Sequence, residues 1–192
     1  MITLNIHKRF LKLLFSTTVL CLCFNFSIAQ PPLPSHSNTA QVQSQINATV
    51  VTALTLSETQ ALHFGTMSVP TGAVEVSLST LTYRQASIPA NIQLFNLAPV
   101  PANAAYTVSG SAGALYAISL PPDNTVTITE GANPMHVDSF IAKTASAGVD
   151  GLTGILDGSG NDSFVVGATL KLLNAQPVGT YTGTFDVTIN YY

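Results

Sequence analysis

The chain has 192 residues, with six Lys and Arg against nine Asp and Glu, a net charge of −3 and no Trp. That length suits one ordinary domain with a sizeable core, and so few cations argue against nucleic acid as a partner. Low charge combined with high apolar content also points away from disorder and towards a β-rich exported protein.

The first residues read as a secretory leader. Lys8, Arg9 and Lys12, with His7, form a basic flank, residues 13–26 form a short apolar run, and Ser27-Ile28-Ala29 supplies small residues at a cleavage site before Gln30. The run falls short of the roughly 20 apolar residues that span a bilayer. Both cysteines, Cys21 and Cys23, lie inside it, each preceded by Leu rather than the small residue of a lipoprotein signal. The exported chain is therefore expected to have no disulfide and to hold by core and strand ladders alone. All nine acids lie beyond the leader, with only Arg84, Lys143 and Lys171 as cations, so the exported net charge becomes −6. No basic patch is left to draw it to an anionic membrane, and no membrane insertion is expected after cleavage.

Residues 30–39, with three prolines, read as a linker. From Ala40 the chain alternates: seven of the nine even positions 40–56 are apolar, against two of the nine odd positions 41–57. A period of two means a strand with one wet and one buried face. The stretch is long for a single strand. Its second half, 49–56, reads equally well as the domain's own first strand, whereas 40–50 is free to pair elsewhere. Short alternating segments follow around Val74–Leu78, Ile92 and Leu94, Tyr106 and Val108, Tyr116 to Leu120, Val126 and Ile128, Met135 to Ile141, and Phe164 to Leu172. Turn residues separate them, which is the pattern of an antiparallel β-sandwich. No amphipathic helix stands out. In the last segment Tyr181, Phe185, Val187, Ile189 and Tyr191 alternate with Thr182, Thr184, Asp186, Thr188 and Asn190. An uncovered edge on such a strand is an aggregation hazard and so calls for a partner.

Catalytic and metal motifs are weak throughout. His136 and Asp138 share a strand face, but two ligands fall short of the three or four that a metal needs. Residues 157–162 (Asp-Gly-Ser-Gly-Asn-Asp) are rich in oxygen donors, yet Ala168 stands where an EF-hand loop carries Glu, and a Gly-rich turn accounts for the composition. Ser109-Gly110-Ser111 lacks the leading Gly of a nucleophile elbow. No catalytic or cofactor-binding residue is assigned, and no enzyme activity is expected.

Several stretches resemble a bacterial exported family catalogued as domain of unknown function 4402: Leu62-His63-Phe64-Gly65-Thr66, Tyr106-Thr107-Val108-Ser109-Gly110, Met135-His136-Val137-Asp138-Ser139-Phe140, Val166-Gly167-Ala168-Thr169-Leu170, and 174–185. The C-terminal end also resembles that of chaperone–usher pilins and spore-coat-U-like secreted domains, with Tyr191 penultimate and Gly179 fourteenth from the end. The missing cysteine pair departs from many such pilins.

That second resemblance implies an immunoglobulin-like sandwich completed by a strand from a neighbouring subunit. It also implies a periplasmic chaperone and an outer-membrane usher as partners during assembly, and a place on the cell surface. Gly179, Tyr181, Phe185, Val187, Ile189 and Tyr191 would then form the groove-lining strand, with Val42, Ile46 and Val50 as the donor knobs. The competing expectation is a monomeric secreted adhesin or ligand-binding module.

Overall fold

The computed structural model describes residues 41–192. The expected leader (1–29), the linker (30–39) and Ala40 lie outside the described residues. Within the described residues there is no helix long and apolar enough to cross a membrane.

The body, Ala48–Tyr192, is all-β with antiparallel sheets. Its strands are β1 (Thr55–Gln60), β2 (Thr66–Met67), β3 (Val74–Leu78), β4 (Arg84–Ala86), β5 (Leu94–Phe95), β6 (Ala104–Ser109), β7 (Leu115–Ser119), β8 (Val126–Glu130), β9 (Asn133–Thr144), β10 (Thr153–Ile155), β11 (Asn161–Leu172) and β12 (Thr188–Tyr191). The large sheet is organised around β11. Its first half pairs with β6 and its second half with β3, both on one edge, and β9 covers the other edge. The changeover falls at Gly167, where a Cβ would run into the Leu78 carbonyl oxygen. Only Gly lets the backbones of 78–79 approach so closely. β1 flanks β6, β4 flanks β3 and β8 flanks β9. A smaller sheet runs β10–β7–β12, and β2 pairs with β5.

The alternation along β11 translates directly into burial. Phe164, Val166, Ala168, Leu170 and Leu172 all point inward. They divide the core in two. The first cluster gathers Val74, Val76, Leu78, Val126, Met135, Val137, Leu170 and Leu172. The second gathers Tyr106, Val108, Tyr116, Ile118, Leu156, Phe164 and Val166, with Tyr106 stacked on Phe164 at 4.9 Å between ring centroids.

Two landmarks of the sequence have plain structural causes. Gly65 lies against the Arg84 guanidinium, which donates to the Phe64 and Phe95 carbonyls at 2.7 Å and to Thr66 at 3.1 Å. One of the three cations after residue 29 thus ties the β2–β5 ribbon to β4. In β9 the ladder slips between Gly167 and Thr169, and Ser139 takes a positive φ of 50°. This bulge leaves Asp138 fully buried, its Oδ1 accepting the Asn124 N–H at 2.6 Å and its Oδ2 paired with Lys171 Nζ at 2.6 Å.

The long alternating stretch at the start behaves differently from the expectation. β1 begins only at Thr55, and no residue of 41–54 is in a strand. Leu54 and Leu56 are the half-buried pair that anchors this end on the second cluster. Among the described residues no strand pairs with the chain upstream of Thr55, and alternation alone does not make a ladder.

Candidate functional site: an edge with one side paired

The C-terminal segment crosses both core clusters. Tyr181 and Phe185 pack on the first, while Phe185, Val187, Ile189 and Tyr191 pack on the second. Each is only half-buried, and the intervening Thr182, Thr184, Asp186, Thr188 and Asn190 are exposed. The inward face expected from the sequence is therefore present. The ladder beneath it is fragmentary. Thr182 exchanges two backbone hydrogen bonds with Thr129 of β8 (2.9 and 3.0 Å), residues 183–187 pair with no strand, and Thr188–Tyr191 pair with β7 from Ser119 to Tyr116. All of these contacts lie on one side. Among the described residues no strand pairs with the other edge of β12.

β1 is likewise an edge, paired only with β6 among the described residues. Its inner face is unfinished. Leu56 is half-buried opposite Val108, but Glu58, on the same face and opposite Tyr106, is exposed. The Tyr106 phenol is pushed up to about 12 by burial and by the Glu58 charge. A carboxylate thus occupies an inward position at the margin of the core, where a covering strand would otherwise call for an apolar side chain.

The two edges are tied at one end. Tyr191 Oη donates to the Thr52 carbonyl at 2.5 Å and accepts the Ser111 N–H at 2.8 Å, while the Thr52 N–H is held by Ser111 Oγ at 2.9 Å. The phenol seats against bare backbone, since a Cβ on Gly110 would collide with its oxygen. In the sequence, Ser111 and Gly110 read as no more than a failed nucleophile elbow, and Thr52 is not singled out. Only Gly110 carried a further signal, inside the Tyr106–Gly110 landmark.

The other expected site residues are placed as follows. Tyr181 spends its hydroxyl locally, donating to the Pro177 carbonyl at 2.9 Å and accepting from Gln176 Nε2 at 3.0 Å. Gly179 abuts the Glu130 side chain, and Gly183 passes so close to β8 that a Cβ would stand 2.8 Å from the Thr127 carbonyl oxygen. Val42, Ile46 and Val50 are 87%, 94% and 95% exposed. The 157–162 stretch forms the turn into β11. There Asp157 Oδ1 accepts the N–H groups of Ser159 (2.8 Å) and Asn161 (2.9 Å), which hold its carboxyl below the usual range. Asp162 is engaged by Tyr116 Oη and Ser146 Oγ at 2.8 and 2.6 Å. Asp157 thus ties the turn's own backbone, and Asp162 ties the start of β11 to β7 and to the loop after β9.

No curated protein and no solved structure matches the chain. A family model does: residues 54–191 match the family described as "Domain of unknown function (DUF4402)". The match begins at Leu54, the first half-buried residue of the body, and ends at Tyr191, the residue that ties the last strand to the chain just ahead of β1. The chain belongs to this family.

Proposed function

We propose that the protein is a non-catalytic structural subunit of a bacterial surface fibre or coat, assembled by β-strand donation. In this reading the body is an immunoglobulin-like sandwich with room for one further strand between β1 and the C-terminal segment. The donor is the 40–50 stretch of another copy or of a sibling subunit. Export, a periplasmic chaperone and an outer-membrane usher belong to the same reading and rest on the C-terminal resemblance to pilins.

One observation carries it: among the described residues the alternating C-terminal segment is paired on one side only. Its complement exists in the same chain. Val42, Ile46 and Val50 are spaced by four, so they share one face of an extended strand, and all three stand in solvent. Burying them would contribute roughly 1.5–3 kcal/mol each in gross transfer terms. A strand added to an open edge also gains a main-chain ladder, the general mode of β-augmentation.

A variant lacking residues 41–50, mixed with a synthetic peptide of that sequence, tests the proposal. The peptide should bind, raise the midpoint of thermal unfolding with peptide concentration, and compete with full-length subunits for assembly. A deleted chain indifferent to the peptide and as stable as the full chain would instead mean a self-sufficient secreted module.

A further inference from the structure

Strand donation leaves open why a subunit does not fill its own edge. We infer that Tyr191, Ser111 and Thr52 form a clasp that keeps the N-terminal extension away from its own chain's open edge and directs it to a second copy. This inference rests on the strand-donation reading above.

The argument is local. To return along β1, the extension would have to reverse within residues 51–54. Thr52 sits in the middle of that stretch, and both its backbone groups are engaged: the N–H with Ser111 Oγ, the carbonyl with Tyr191 Oη. A reversal there would break both bonds. Ser111 also presents its own N–H to the same phenol at 2.8 Å, so the three residues hold one another. Residues 51–54 offer no turn chemistry of their own. Val51, Thr52, Ala53 and Leu54 include no Gly, Asn, Asp or Pro, and none has a positive φ. Tight hairpins depend on those residues and on that backbone region. Leu54 and Leu56 face the core in alternation, so the chain is committed to an extended path as it enters β1.

The seat for the phenol is equally specific. Gly110 has no room for a side chain beside the Tyr191 oxygen, and a Cβ there would also stand 3.0 Å from Leu156 Cδ1 and Leu54 Cδ1. The clasp joins residues 139 apart in sequence, so it closes only when the last strand has docked.

Cysteine pairing reads the destination of the extension directly. Both native cysteines lie in the expected leader, so Ile46→Cys with Val187→Cys introduces the only pair into the exported chain. Oxidised full-length protein, run without reductant, should give cross-linked dimers and larger species. Adding Tyr191→Phe keeps the ring and removes the hydroxyl. The share of internally cross-linked monomer should then rise about fivefold, the factor corresponding to the one bond by which the hydroxyl holds Thr52. Ser111→Ala, which leaves the last strand untouched, should move the distribution the same way and serves if the Phe variant folds poorly. An unchanged distribution in both variants would overturn the clasp while leaving strand donation standing. No cross-link in any background would overturn strand donation, and the clasp with it.

Discussion

Residues 164–172 and 181–191 carry the same alternating pattern, broken only by Gly183 in the second, and end in opposite situations. The first lies in β11, with twelve residues in the strand, neighbours on both sides and an inward face wholly buried. The second has the same orientation towards the core, but a ladder of four residues on one side and half-buried side chains. Alternation decides which way side chains face. It does not decide how many neighbours the backbone finds.

If the comparison holds, equivalent truncations should have unequal costs. Phe164→Ala removes a ring stacked in the second cluster and should cost about 3–5 kcal/mol in urea unfolding of the monomer. Ile189→Ala, on the half-covered face, should cost clearly less. Equal losses would mean that the C-terminal strand is already as enclosed as β11.

A second probe acts on the outer side of the large sheet. Asp138 has its pKa lowered by the bond to Lys171 and by the Asn124 N–H, with a smaller contribution from the charge of His136, against an opposing effect of burial. A carboxyl depressed in the folded state stabilises it above the unfolded pKa of about 3.9, and that stability is lost as pH falls further through the folded value. Asp138→Asn should lower stability at neutral pH and remove this part of the loss in acid. Urea midpoints of both proteins between pH 7 and pH 2 check this. Parallel curves would contradict it.

Much of this was legible in the residues. β3, β6, β7, β8 and β11 lie where alternation placed them, because their inward positions are apolar and turn residues bound them. Three features were not. The bulge at Ser139 puts a charged residue, Asp138, out of reach of solvent, and only the β7–β8 loop, through Asp123 and Asn124, explains why. The tie between Tyr191 and Thr52 spans nearly the whole body, and no local signal reports it. The 41–54 stretch reads as a strand yet forms none, because a strand needs a neighbour as well as a pattern.

A smaller effect follows from the tie itself. Gly110→Ala should cost about 1 kcal/mol, by displacing the Tyr191 hydroxyl from its two partners, and Gly113→Ala, beside open space, provides the contrast. The Gly113 change must be judged against its own φ of 71°, which already strains a side chain, so only a cost for Gly110→Ala beyond Gly113→Ala supports the seat.

The smallest expected effect on stability is also the one with the largest consequence for assembly. Replacing Val42, Ile46 and Val50 together by Asp touches only exposed positions and should leave monomer stability within about 0.5 kcal/mol. Multimers should nevertheless disappear. A loss of monomer stability would place these side chains in the body's own core.

The most direct test of strand donation is electrophoresis of surface-extracted protein in SDS, with and without boiling. The account predicts a ladder of multimers in the unboiled lane that collapses to one monomer band on boiling, since the exported chain is expected to carry no cysteine and the joints would be held by burial and a β-ladder. A monomer in both lanes would contradict it and mean that the domain completes its own sheet.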